Sequence, residues 1–175
     1  FRGRQVVLIC VIGAMTVPYV ALFVPQFLVI VQMGLVNTLT AIIMPILVMP
    51  IAVFVMRQFC STIPEELLEA ARMDGAGELR LFFRIVFPLV GPALAAVSIL
   101  TFLYSWNYFL WPLIVAQNQS TYTLPVGLAV ASQASNTTAF GLLLAGAVVI
   151  LLPVLILFLA LQRHFIQGVA TNGLK

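Results

Sequence analysis

Charge is what this chain has least of. Only 7% of its 175 residues are Asp, Glu, Lys or Arg, and 63% are hydrophobic, whereas soluble domains carry roughly 25% charged residues. Water therefore cannot solvate most of the surface, and the class is an integral membrane protein with the lipid bilayer as its first partner. The eight cations form no basic stripe and do not alternate with aromatics, which argues against nucleic acid. Two cysteines, Cys10 and Cys60, are too few for a disulfide framework and read as apolar filler. The single histidine, His164 beside Arg163, stands at the end of an apolar run and reads as an interfacial residue. No His/Cys/Asp/Glu cluster has metal-ligand spacing, so no metal site is assigned. No serine or cysteine has a general base near it in sequence, and no catalytic residue is assigned. A G-x-x-x-x-G-K-[ST] phosphate loop is also missing, so any nucleotide motor must be another polypeptide.

What the chain does have is hydrocarbon, in four runs: 6–31, 39–56, 85–103 and 140–161. About 20 apolar residues cross a bilayer as a helix, with roughly 17 to 25 observed. Each run meets that length and none contains Lys, Arg, Asp or Glu, so all four read as spans. Arg2 and Arg4 precede the first span, Arg57, Arg72, Arg80 and Arg84 separate the second from the third, and Arg163 and Lys175 follow the fourth. Two spans part each cationic cluster from the next, which puts all three on one side. Cations in short loops mark the cytoplasmic side. Loop 57–84 and both chain ends are thus expected in the cytoplasm, with the charge-free loops 32–38 and 104–138 outside. The start F-R-G-R-Q resembles the charged region of a signal peptide, but the following run is too long and lacks a cleavage site. The chain reads as starting within a longer protein, or as a short version of one.

Prolines interrupt the spans at Pro18, Pro45, Pro50, Pro92 and Pro153, with Pro88 near the start of the third. Each removes a backbone donor and clashes with the preceding turn. In lipid the freed carbonyls need another partner, so such spans pack on neighbouring helices or line a wet cavity. After the third span comes Y-S-W-N-Y-F-L-W-P, 104–112. Tyr and Trp collect at membrane interfaces, which accounts for Tyr104, Trp106, Tyr108 and Trp111 without any ligand. Ser105 and Asn107 fit that reading less well, because an amide at membrane depth must be paired or face a cavity. Aromatic faces around an amide also suit a neutral polar ligand such as a sugar. Ser105, Trp106, Asn107 and Tyr108 are therefore the candidate substrate pathway. The polar, hydroxyl-rich remainder of the external loop is expected to hold a short helix near 126–131. Its N-T-T sequon at 136–138 recurs by chance and carries no weight.

All five acidic residues sit in one stretch: Glu65, Glu66, Glu69, Asp74 and Glu78. Pro64 suits a first helical position, with Ile63 as the N-cap. Glu65 and Glu66 favour the first turn of the helix dipole, and Gly75 supplies a stop. The product is about ten residues, roughly 15 Å of helix, marginal alone in water and so expected to lean on a surface. Glu69 and Arg72 can pair along it. L-R-L-F-F-R then leads straight into the third span, so a push on the helix would be passed to the membrane. An ordinary solvated loop is the competing reading.

Glu69-Ala70-Ala71, Gly75 four positions after Ala71, then Ile85 and Pro88 resemble the E-A-A-x-x-x-G-x(9)-I-x-L-P signature. That signature belongs to the membrane subunits of binding-protein-dependent ABC importers; Phe87 replaces its usual Leu. S-T-I-P-E-E-L, S-W-N-Y-F-L-W-P, T-L-P-V-G-L and Q-R-H-F-I-Q-G-V-A-T-N-G-L-K resemble the carbohydrate-uptake branch, and within it the partner corresponding to maltose permease's G subunit. The resemblance implies an all-α, type I importer permease fold: a kinked transmembrane bundle with a cytoplasmic coupling helix, in a bacterial or archaeal cytoplasmic membrane. It implies that Glu69, Ala70, Ala71, Asp74 and Gly75 dock on an ATPase subunit dimer, which holds the ATP and magnesium, so that this chain needs no cofactor and is not itself an enzyme. It further implies a second permease subunit as heterodimer partner, an extracytoplasmic solute-binding protein facing the loop after the third span, and ATPase contacts from the tail 168–175. In the maltose system the companion subunit's equivalent of 105–109 contributes to a sugar site. Family members usually have six spans, and the missing pair is expected before Phe1.

Spans without cations point to a neutral saccharide or polyol as the small-molecule substrate; a glycerophosphodiester or glycerol phosphate is the alternative should the partner permease supply charge. An ion-gradient-driven carrier, the alternative from another class, would place ionisable residues inside its spans, and these runs have none.

Overall fold

The computed structural model describes residues 2–133 and 140–170, with side chains as far as 160 in the last helix. The sequon at 136–138, the side chains of Arg163 and His164, and the tail beyond 170 lie outside the described residues. All regular structure among the described residues is helical, so the fold class is all-α.

Helix α1 (Arg4–Thr16) is followed by a 3-10 turn, Tyr19–Leu22, and α2 (Phe23–Gln32). The break falls at Val17 and Pro18, where the proline removes a donor, so the first apolar run is two helices that cross only if taken together. Helix α2 stops at Gly34, whose φ of 66° is left-handed. Leu35 N–H returns to the Ile30 carbonyl at 3.1 Å and Gly34 N–H to Val31 at 3.0 Å, the paired bonds of a Schellman end. Thr38 caps α3 (Leu39–Ile43), its Oγ1 accepting from Ala41 N–H at 3.2 Å. A 3-10 turn containing Pro45, Met44–Ile46, and a break at 47–49 separate α3 from α4 (Pro50–Cys60), so the second run is also a broken pair.

The charged stretch forms α5 (Glu65–Met73) and α6 (Glu78–Leu81). Next comes a π-helical turn, Phe82–Val86, in which Phe87 N–H reaches back five residues to the Phe82 carbonyl. Pro88, in α7 (Phe87–Leu89), would crowd the carbonyl of Arg84 in a regular helix; a wider turn before it relieves that crowding. Helices α8 (Gly91–Trp106) and α9 (Leu110–Val115) follow, and Gly91–Val115 together is long and apolar enough to cross a membrane. The third apolar element thus extends well past 103, the end that composition suggested. The segment 104–115, expected as external loop, is largely helical because Trp111, Pro112 and Val115 turn inward. A 3-10 turn at Gln119–Thr121, α10 (Leu124–Gln133) and the long α11 (Phe140–Ala170) complete the order, α10 covering the short helix expected near 126–131. Of α11, Phe140–Ala160 is apolar enough to span. By length and composition two described helices can cross, or four if each broken pair is one span.

The chain divides into two compact units. The first comprises Phe1–Met15, Pro50–Thr101 and Ala160–Lys175, and contains α5 and α6. The second comprises Thr16–Met49 and Phe102–Leu159. Its core gathers Ile30, Ala41, Ile42, Tyr108, Trp111, Val115 and Ala116. Trp111 is fully buried there, with its ring 6.0 Å from that of Phe23, instead of lying in an interfacial belt.

Candidate functional site

In the first unit, Pro64 occupies the N-cap of α5 with φ −58° and ψ 133°. That is one residue later than the sequence suggested, because its extended ψ leaves it outside the helix. The C-terminal end is another Schellman motif. Asp74 N–H returns to Ala70, Gly75 N–H to Arg72, and Ala76 N–H to Ala71, each at 3.0 Å, with Gly75 at φ 79°. Only glycine takes that conformation without a Cβ penalty, so the residue that ends the helix also sets the direction of the chain after it.

The reversal changes the expected ion pair. Arg72 Nε meets Glu78 Oε1 at 2.9 Å, and no bond joins Arg72 to Glu69. A cation in the last turn of α5 and a carboxylate at the start of α6 each suit the local helix dipole. The Arg72 hydrogen bond, then its charge, hold the Glu78 carboxyl below the usual carboxylate range, and the same contact raises Arg72.

Of the five residues expected to dock, Ala71 is buried within the chain while Glu69, Ala70, Asp74 and Gly75 are exposed. Apolar side chains that sequence reasoning passed over stand out beside them. Met73 is 89% exposed and Leu79 77%, with Leu67 also exposed. Large apolar groups bared on a charged segment outside the apolar runs mark a surface that something covers.

In the second unit, a cavity of about 300 Å³ is lined by Tyr19, Val20, Phe23, Tyr104, Asn107, Tyr108, Phe109 and Leu110. Small-molecule sites begin at roughly this size and pair aromatic walls with a few polar groups. The Tyr19 and Tyr108 hydroxyls are hydrogen-bonded to each other. Asn107 Nδ2 donates to the Leu103 carbonyl at 2.8 Å, which fixes its plane and leaves its amide oxygen as the acceptor able to serve a ligand hydroxyl.

Two of the four pathway residues, Asn107 and Tyr108, thus meet at one cavity. The other two do not line it. Trp106 stacks on Phe102, centroids 5.6 Å apart, and its indole N–H donates to the Ile150 carbonyl at 2.9 Å. Ser105 is exposed, and its carbonyl accepts from Tyr108 N–H at 3.3 Å. Tyr19 and Phe23 were missed, although Pro18 in the first run was a signal that a cavity could lie beside it.

Comparison with known proteins decides the family. The model for "Binding-protein-dependent transport system inner membrane component" matches residues 1–171. The chain belongs to this family. Its fold is the type I importer permease fold. It is 44% identical over 175 residues to the arabinooligosaccharides transport system permease protein AraQ of Halalkalibacterium halodurans, a match covering 100% of this chain and 62% of AraQ. It is 37% identical to the lactose transport system permease protein LacG of Rhizobium radiobacter, over 94% of this chain and 60% of LacG. The sn-glycerol-3-phosphate transport system permease protein UgpE of Yersinia pestis is 36% identical, over 85% of this chain and 53% of UgpE. Among solved structures, a crystal structure of a bacterial ABC transporter involved in import of the acidic polysaccharide alginate superposes with a TM-score of 0.77 at 26% identity, covering 94% of this chain and 63% of that one. The chain therefore spans between about half and three fifths of the length of these relatives. AraQ, LacG and UgpE are transport system permease proteins.

Proposed function

We propose that this chain is part of the transmembrane permease subunit of an ATP-driven, binding-protein-dependent importer that brings a sugar or similar neutral polyol into the cytoplasm. The observation that carries the reading is α5. It is a charged helix between apolar segments, ended by the left-handed Gly75, and it bares Met73, with Leu79 bared on α6 just beyond, where a partner must cover them. A separate ATPase dimer, holding ATP and magnesium, is that partner. Glu69, Ala70, Ala71, Asp74 and Gly75 form the docking element, and α6 with the π turn relays its movement toward α8. A second permease subunit completes the membrane pathway, and a solute-binding protein delivers substrate from outside. Both ends of the chain and the loop 57–84 face the cytoplasm, which agrees with the cations.

The sugar assignment is supported by the relatives named for arabinooligosaccharides and lactose, and by a cavity that offers aromatic faces and one free amide oxygen but no ionisable carboxylate or cation. The UgpE relative favours glycerol phosphate as a second reading, for which the companion subunit would have to supply the charge.

Crosslinking tests the docking. Cys10 and Cys60 are both exposed and must first be replaced. A70C in that background, treated with a short bifunctional reagent in intact cells, is expected to capture the ATPase. If A70C and M73C both expressed normally and yet captured no nucleotide-binding subunit, the docking role would be lost.

A further inference from the structure

Asn37 is the one described non-glycine residue with a left-handed backbone, at φ 62°. Asparagine tolerates that region better than other residues with a Cβ. Its side chain then does something no sequence motif announced. Oδ1 accepts from Gln117 N–H at 2.8 Å, from Asn118 N–H at 3.0 Å, and from the Thr121 hydroxyl at 2.6 Å, whose one proton is shared with the Asn118 carbonyl at 2.9 Å. Its own N–H donates to the Val115 carbonyl at 2.9 Å. Four bonds from one residue therefore cross about 80 positions of sequence, all inside the second unit.

An amide oxygen has two lone pairs, so three donors leave it no spare capacity. The two backbone donors it satisfies belong to 117–118, outside any helix, where no ladder would otherwise hold them. Beneath the segment Val115 and Ala116 are buried; above them Gln117, Asn118, Gln119 and Ser120 are all exposed. The result is a short stretch of chain locked from below and presenting four neutral polar side chains outward.

We propose that Asn37 is a positioning residue: it holds 116–121 in the shape on which the extracytoplasmic solute-binding protein docks. The inference rests on the importer reading above, which, with loop 57–84 in the cytoplasm, puts 32–38 and the segment that follows Val115 on the outer side. A surface of amides and a hydroxyl without charge fits a partner that recognises it by hydrogen bonds to fixed backbone and side-chain positions. Such recognition depends on the geometry being set before encounter, since ordering the segment at the moment of binding would cost affinity.

The test uses the complete transporter, with companion permease, ATPase and binding protein, reconstituted in nanodiscs. Binding-protein-stimulated ATP hydrolysis is titrated for the wild type, N37G, N37D and T121V. Glycine keeps the left-handed backbone and deletes the acceptor; aspartate keeps an acceptor in the same place. In N37G the half-saturating concentration of binding protein should rise about tenfold, as loss of one or two net hydrogen bonds would give. Its maximal rate should stay within about twofold, a split that marks lost binding rather than lost chemistry. T121V should shift the same way by less, and N37D should titrate like the wild type. Hydrogen exchange at the Gln117 and Asn118 amides should accelerate in N37G. An unchanged titration in N37G, a fall in maximal rate without a shift, or unaltered exchange would each overturn the proposal. A wild-type transporter that no binding protein stimulates would instead remove the importer reading, and the inference with it.

Discussion

The indole N–H of Trp111 donates to the carbonyl of Ala41 at 2.9 Å, across 70 positions of sequence. The carbonyl is the one that Pro45, four residues on and without an N–H, cannot serve. A proline-broken segment in a membrane protein needs an outside donor, and here it is a fully buried tryptophan. Trp106 reaches the Ile150 carbonyl, three residues before Pro153, which is not the carbonyl that this proline leaves without a donor. Both tryptophans of the chain thus donate to carbonyls within a turn ahead of a proline, and Trp111 is the one that replaces the missing donor.

The link between Trp111 and Pro45 can be measured as a coupling. W111F keeps an aromatic ring but leaves the Ala41 carbonyl without its donor, a buried loss of about 1–3 kcal/mol. In a P45A background residue 45 regains an N–H able to reach that carbonyl, so W111F should cost under about 1 kcal/mol there, the usual net worth of one hydrogen bond. Unfolding in detergent, followed for the four members of the cycle, reads the difference. Equal costs in both backgrounds would mean the proline and the indole act independently.

Gly75 is the second point of leverage. Nothing lies within 4 Å of a Cβ placed there, so G75A meets no clash and pays for backbone alone. The left-handed conformation costs an L-residue about 1–2 kcal/mol, enough to loosen the turn that follows α5. Insertion into the membrane should be unchanged, while co-purification with the ATPase and uptake both fall, and G75N should fall less than G75A. Uptake in G75A equal to wild type would separate this glycine from docking.

How far the sequence carried depends on how local each cause was. The stop at Gly75 was legible, because a helix end needs only one residue able to adopt positive φ. That Pro45 would need an outside partner was legible too, but not that Trp111 would provide it, since composition gives no distance between 41 and 111. The aromatic stretch read as interfacial loop from its Tyr and Trp content, whereas burial of Trp111 and Val115 makes its second half a helix. Arg72 pairs with Glu78 instead of Glu69 because the chain reverses at Gly75, a consequence of geometry that helical spacing rules do not contain. Asn37 gave no signal; an asparagine in a short loop is ordinary until its φ and its three donors are known.

The Arg72–Glu78 pair predicts a pH dependence of definite sign. Glu78 titrates below its ordinary value because Arg72 hydrogen-bonds to its ionised form. A group with a depressed folded-state pKa stabilises the fold above its unfolded value and loses that contribution as pH falls through the folded one. Arginine stays charged throughout. The turn joining α5 to α6 should therefore hold at neutral pH and loosen only in the acid range below the usual carboxylate value. The effect should be small, because the pair is exposed and screened by salt. Amide exchange at Gly75 and Ala76, compared between wild type and E78Q, checks it: only the wild type should show the acid step, and raised salt should shrink it.

The cavity residues divide into two groups that mutation should separate. Asn107 holds its plane through Leu103 and lines the cavity together with Tyr19, Tyr104 and Tyr108. Trp106 faces away and spends its only donor on Ile150. N107L removes the cavity's free amide oxygen, so the apparent affinity for substrate or the translocation rate should drop about tenfold, the worth of one well-placed hydrogen bond to a polar ligand. Thermal stability should barely move. W106F should do the reverse, lowering the unfolding temperature by the loss of a partly buried bond while sparing uptake measured below that temperature. Uptake assays and melting curves on the same two preparations read both axes. If N107L altered stability alone, the amide would be a structural fastener and the ligand site would have to lie elsewhere in the assembled pathway.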